Sequence, residues 1–145
     1  MNKTYIPKNI RDKNRIWYLI DAQEQNLGRL STQISILLRG KNDVLYTPNV
    51  NSMNYIIVIN AKYINITGQK RSQKIYKRHS GRPGGLKMET FNQLNHRIPA
   101  RIIEKSIRGM LPHNALGRQL FKQLKIYGDK NHPHAAQKPT IIELK

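Results

Sequence analysis

Residues 27–40, LGRLSTQISILLRG, decide the fold, because they stand between two short apolar runs, WYLI at 17–20 and YIIVI at 55–59. Their apolar residues recur at spacings of three, four and seven, as on one face of a helix: Leu27, Leu30, Ile34, Leu37 and Leu38. The flanking runs predict strands, and the run at 55–59 is typical of a strand covered on both faces. This order predicts a βαβ unit with a right-handed crossover.

The predicted helix has a clear end. Gly40 favours the left-handed conformation of a helix C-terminus, and Arg39 and Lys41 flank it where positive charge stabilises the negative end of the helix dipole. The first strand is expected to end at Asp21.

Beyond the βαβ unit the pattern is more mixed. Residues 63–67 and 74–78 each predict a short strand, whereas residues 79–85 hold too much Gly and Pro for regular structure. Helices are expected from Thr90 and from Pro99, which suits the first turn of a helix. The buried stripe of the second helix is predicted to be Ile102, Ile103, Ile107 and Met110.

Asn114 is the expected N-cap of a last helix, and residues 125–127 predict a last strand. The length of 145 residues suits one domain. We therefore expect an α/β domain at 16–128, between a basic arm at 1–15 and an extended tail at 129–145.

The net charge of the chain indicates the chemical class of its partner. Lys and Arg number 26 against 8 Asp and Glu, which gives a net charge of +18. A compact domain with this charge repels itself and usually binds a polyanion, so nucleic acid is the leading partner.

Other features exclude whole classes of protein. There is no cysteine, which excludes disulfides, thiol chemistry and cysteine-based zinc sites. The apolar runs are too short to cross a membrane. The first residues resemble neither a secretory signal nor an import leader, so we expect the protein to act in the compartment where it is made. Abundant Ile, Asn and Lys, with AT-rich codons, indicate a plastid or a low-GC bacterium.

A glycine-rich loop is the first candidate binding site. Its glycines would let the main chain approach a phosphate, with cations around it. The candidate residues are Arg78, His79, Arg82, Gly84, Gly85 and Lys87. The spacing matches neither a Walker loop nor a dinucleotide-binding turn after the first strand. The alternative is a flexible surface turn with solvated charges.

A basic segment just before this loop is the second candidate. It comprises Lys70, Arg71, Lys74, Tyr76, Lys77 and Arg78. Strand alternation would put Lys74, Tyr76 and Arg78 on one face, where they could straddle a sugar–phosphate backbone and stack a base. The alternative is an edge strand whose charges prevent aggregation.

The turn at 108–118 is the third candidate, because a helix that begins near Asn114 would direct free N–H groups outward beside Arg108, His113 and Arg118. A capped turn without a ligand is an equal alternative. His132 and His134 have no third ligand at a useful spacing, so we expect solvated or RNA-contacting histidines and no metal site.

No catalytic constellation is visible. The few carboxylates are scattered, and no nucleophile-elbow pattern occurs. A phosphate-handling enzyme that uses the glycine-rich loop would need more acidic residues near the glycines. We therefore expect no enzymatic activity, no cofactor and no small-molecule substrate.

Ordered motifs along nearly the whole chain resemble the family of bacterial large ribosomal subunit protein thirteen. They run from residue 17 onward: WYLIDA, LGRL, LRGK, YTP, VINA, TGQK, HSG, GGLK, GMLP, LGR, YG and HPHAAQKP. The resemblance implies a three-layer α/β/α domain with a mainly parallel, Rossmann-like sheet. It also implies binding to large-subunit rRNA and neighbouring ribosomal proteins, placement early in subunit assembly, and no autonomous homo-oligomer.

Carried over by position, the resemblance adds Lys41 and the segment from His132 to Lys138 to the rRNA-binding candidates above. The expected location is the ribosome of a plastid stroma, with a bacterial cytoplasm as the alternative. A free-standing DNA- or RNA-binding module is the alternative function.

Overall fold

The predicted βαβ unit forms the centre of the protein. The computed structural model describes residues 15–143, so the predicted arm lies outside the described residues except for Arg15. Strand β1 (Ile16–Asp21), helix α1 (Leu27–Arg39) and strand β2 (Asn54–Ile59) follow in the expected order. The two strands pair in parallel, and β2 is almost completely buried, as its continuous apolar run predicts.

Gly40 ends α1 as expected. Its φ is 70°, and its N–H donates to the carbonyl oxygen of Leu37 at 3.0 Å. The N–H of Lys41 reaches back to the carbonyl oxygen of Ile36 at 3.1 Å. A Cβ at Gly40 would come within 2.5 Å of the Ser52 Cβ, so both conformation and space require glycine.

The main sheet has four parallel strands in the order β5–β2–β1–β6, which confirms the α/β class with a mainly parallel sheet. Strand β5 (Leu124–Ile126) begins one residue before the predicted last strand. Strand β6 (Thr140–Ile141) lies in the predicted tail and pairs with β1. The predicted extended tail therefore supplies an edge strand of the main sheet.

A two-stranded antiparallel hairpin stands apart from this sheet. It consists of β3 (Ile75–His79), which the sequence predicted, and β4 (Leu86–Thr90), with the one-turn helix α2 (Lys70–Gln73) before it. The strand predicted at 63–67 is wrong. A 3-10 turn begins directly after β2, and only Asn65 makes a bridge, to Asn26. Ile64 is 3% exposed and reaches the core from a loop, which explains the strand-like alternation.

Three further helices cover the core: α3 (Phe91–Arg97), α4 (Ala100–Met110) and α5 (Ala115–Lys122). Thr90 and Gln93 form a capping box at α3, and the Asn114 side chain caps α5 as predicted. Met110 was predicted to be buried but is 42% exposed. It is the last residue of α4, and Leu111 takes the buried position instead.

One continuous apolar core joins the sheet to α1, α3, α4 and α5. Ile20, Ile56 and Val58 contribute from the strands, and the side chains between them point to the other face by strand alternation. On that other face Trp17 stacks on Tyr55 with ring centroids 4.5 Å apart. None of the helices within residues 15–143 is long and apolar enough to cross a membrane.

Candidate nucleic-acid interface

The hairpin presents cations in a fixed register. Arg78 lies directly opposite Lys87, and Tyr76 lies opposite Glu89. Strand alternation puts these four residues on one face of the hairpin. Both cations are exposed. The predicted basic strand is therefore confirmed as a strand, and its partner strand adds a further cation on the same face.

A groove runs between this face of the hairpin and helices α3 and α4. Six cations line it, together with one carboxylate and several uncharged side chains. The cations are Lys77, Arg78, Lys87, Arg97, Arg101 and Lys105. The carboxylate belongs to Glu89, and both of its oxygens accept hydrogen bonds from Arg97 Nη2, at 2.7 and 2.8 Å. The groove therefore has a strong excess of positive charge.

Tyr76 forms part of the groove wall. Its ring is half-buried against the core, and burial raises the pKa of its phenol above the ordinary value of 10.0. The ammonium groups of Lys74 and Lys105 lie 5.4 and 5.1 Å from the ring centroid. The ring is thus in contact with two cationic side chains of the protein, and the stacking of a base on it stays a prediction.

The glycine-rich loop is a closed turn. Gly81 and Gly84 have φ values of 88° and 72°, which favour glycine. The N–H of Gly85 donates to the carbonyl oxygen of Arg82 at 2.9 Å, and the N–H of Gly81 donates to His79 Nδ1 at 2.9 Å. These two N–H groups have internal acceptors, and the loop also carries the exposed side chain of Arg82. Contact of the loop with a phosphate stays a prediction.

The turn between α4 and α5 is a capped turn that also carries cations. Asn114 Oδ1 accepts from the N–H of Gly117 at 2.8 Å, so the helix is capped by its own side chain. A depression beside it is nevertheless lined by Arg108, His113, Arg118 and Lys122. The turn therefore carries cations beside a helix N-terminus in which the Asn114 side chain caps one N–H group, and anion binding there stays a prediction.

Two other predicted groups lie elsewhere on the surface. Lys70 and Lys74 border a depression with Arg29 near the start of α1, and the exposed Arg71 donates to Asn65 Oδ1 at 3.4 Å. Lys41 is exposed after the end of α1. The structure therefore distributes the predicted cations over several surfaces.

The two tail histidines hold the tail in place. His134 Nε2 is 2.8 Å from the Tyr127 hydroxyl, and its ring centroid is 5.3 Å from that of Trp17. His132 Nδ1 accepts from the N–H of His134 at 3.2 Å. Both side chains thus have internal partners, whereas Lys138 is exposed.

The cations that line the groove from α3 and α4 were not predicted from the sequence as binding residues. Arg101 and Lys105 are four residues apart, which places them on one side of α4, and Arg97 is the last residue of α3. This pattern was visible in the sequence, but only the fold shows that it faces the hairpin. Within residues 15–143 no group of three or more His, Asp or Glu side chains is placed to hold a metal ion.

Comparison with known proteins agrees with this architecture. The family model of Ribosomal protein L13 matches residues 15–133. The chain is 57% identical over 144 residues to large ribosomal subunit protein uL13 of Acaryochloris marina, an alignment that covers 99% of this chain and 95% of the relative. It is 56% and 55% identical, with the same coverage, to the proteins of that name from Prochlorococcus marinus and Synechococcus sp. strain CC9311. The chain belongs to the ribosomal protein L13 family.

Proposed function

We propose that this protein is a structural constituent of the large ribosomal subunit, where it binds large-subunit rRNA and helps early assembly. The observation that carries the proposal is the groove beside the hairpin, which is lined by six cations and by a single carboxylate that is already paired with one of them, Arg97. Such an excess of positive charge fits the phosphates of a nucleic acid. The proposed role requires neither catalysis nor a cofactor.

The distribution of charge favours a structural clamp over a regulatory factor. Besides the groove, cations surround the turn between α4 and α5 and the start of α1. These surfaces lie on different elements, so one domain could neutralise several RNA segments at once. A factor that reads sequence more often concentrates its cations on one element.

The proposed setting is a ribosome, in which large-subunit rRNA and neighbouring ribosomal proteins are the partners. We place this ribosome in a plastid stroma, with a bacterial cytoplasm as the alternative. The cyanobacterial sources of the compared relatives support the plastid assignment, as does the abundance of residues with AT-rich codons.

Sucrose-gradient fractionation of a native lysate, before and after a high-salt wash, tests this function. We expect the chain to sediment with the large subunit and to survive the wash, since contacts buried during assembly are protected from exchange. A chain that stays at the top of the gradient would refute the ribosomal role. Comparable affinity for any nucleic acid would then favour the free-standing module.

A triple variant tests the contribution of the hairpin. Replacing Arg78, Arg82 and Lys87 together by Gln removes three exposed charges, so we expect weaker rRNA association with an unchanged fold. Filter binding across salt concentrations measures the affinity, and circular dichroism measures the fold. Normal assembly of this variant at high salt would contradict the assignment of these residues.

A further inference from the structure

The groove between the hairpin and α4 has two cationic walls that face one another. We propose that it holds one RNA strand by its phosphates, with Arg78 and Lys87 on the hairpin wall and Arg101 and Lys105 on the helix wall. The inference rests on the proposed rRNA binding. It assigns the site of one RNA contact, and it adds Arg101 and Lys105, which are not among the residues predicted from the sequence.

An anion would stabilise the hairpin wall. Arg78 and Lys87 are direct cross-strand neighbours, and like charges in that position destabilise a hairpin. Glu89 is the carboxylate on this face, and Arg97 engages both of its oxygens. A phosphate between the two cations would replace repulsion with two charge-assisted contacts.

The helix wall is held rigidly in position. Ile102, Ile103 and Ile107 are fully buried, so the apolar stripe of α4 is fixed against the core. The exposed Arg101 and Lys105, one turn apart, therefore project into the groove from a backbone of fixed position. Arg101 Nε lies 3.5 Å from Glu104 Oε2. Both side chains are exposed, so this ion pair is weak and a phosphate can replace Glu104 as the partner of Arg101.

The chemistry of the lining selects the backbone of a strand over its bases. The cationic side chains are donors that match phosphate oxygens, and the lining carboxylate that could accept from a base amino group, that of Glu89, already accepts from Arg97. Tyr76, Leu94 and Ile98 supply apolar surface between the two walls. The ordinary pKa of a Tyr phenol, 10.0, already keeps Tyr76 protonated at neutral pH, and burial raises this pKa further, so no phenolate opposes a phosphate.

Hydroxyl-radical footprinting of the full chain on protein-free RNA from cyanobacterial large subunits tests the proposal. Two double variants each remove one wall: Arg78→Gln with Lys87→Gln, and Arg101→Gln with Lys105→Gln. We expect both to expose the same short RNA stretch, and each to lower the slope of log K against log salt by about 1.4–1.8, the loss of two phosphate contacts.

A third double variant, Arg15→Gln with Lys130→Gln, removes equal charge from exposed positions that do not line the groove and are not among the predicted rRNA-binding residues. It should leave the stretch protected. Loss of protection at two separate stretches, or unchanged protection in either groove variant, would overturn the shared groove while leaving rRNA binding intact. Absence of any footprint with the unaltered chain would overturn both proposals. Circular dichroism melting verifies that every variant is folded.

Discussion

Gly117 offers a sharp test of how the interhelical turn is built. It is buried in the first turn of α5, and its N–H donates to Asn114 Oδ1 at 2.8 Å. A Cβ at this position would press against the carbonyl oxygen of Pro112 and lie 2.8 Å from its carbonyl carbon. These are backbone atoms that no side-chain rotation can move, so Gly117→Ala must displace the start of the helix or the turn.

The magnitude follows from three terms. Alanine ordinarily improves a helix by about 0.8–1.0 kcal/mol over glycine. Overpacking costs about 1–3 kcal/mol, and a weakened cap costs about 1 kcal/mol more. We therefore expect Gly117→Ala to destabilise the domain by about 1–3 kcal/mol. For a chain of this size that lowers the melting temperature by roughly 3–10 °C.

Thermal melting followed by far-UV circular dichroism at fixed salt measures the shift. Gly109→Ala in α4 is the matched control, since a Cβ there meets nothing within 4 Å. The control should gain at most about 1 kcal/mol from helix propensity. A Gly117→Ala protein that melts at or above the unaltered chain would refute the close approach of Pro112 to α5.

Three further changes test other parts of the structure. Asn114→Ala removes the cap of α5 and should cost about 1 kcal/mol in urea denaturation. His134→Ala removes the contacts with Tyr127 and Trp17, so limited proteolysis should cut within 129–143 faster while helix content is unchanged. Burial raises the pKa of Tyr76 in the folded state, so the folded protein binds more protons above the unfolded value of 10.0 and its stability falls as pH rises. Between about pH 9 and about pH 11, the midpoint of urea denaturation should therefore fall less for Tyr76→Phe than for the unaltered chain. An equal fall would contradict the burial of this phenol.

The sequence predicted those parts of the fold that depend on local patterns. The stripe of α1, the glycine after it and the apolar run of β2 are strong signals, because each one is set by neighbours in the chain. The wrong or missing predictions concern segments whose conformation depends on contacts with residues distant in the sequence. Ile64 is buried from a loop, and Thr140 joins the sheet only because the rest of the tail brings it to β1.

In the candidate site, too, local patterns predicted individual residues but not their arrangement. Composition and spacing identified Arg78 and Lys87, but the register that sets them opposite one another depends on where the hairpin turns. No local pattern shows that Arg101 faces the hairpin, since that requires the packing of α4 on the core. Similarly, His134 looked like a surface histidine because its partner Trp17 is more than a hundred residues away in the sequence.

The charge balance links the fold to the proposed function. Ion pairs hold the carboxylates of Glu89, Glu104 and Asp129, so these groups do not offset the remaining cations. At a net charge of +18 the free domain repels itself, and the opposed pair Arg78 and Lys87 concentrates that repulsion at the hairpin. An RNA strand in the groove would relieve it. Binding and folding are then coupled, and the domain should be most stable when the phosphates that match its cations are present.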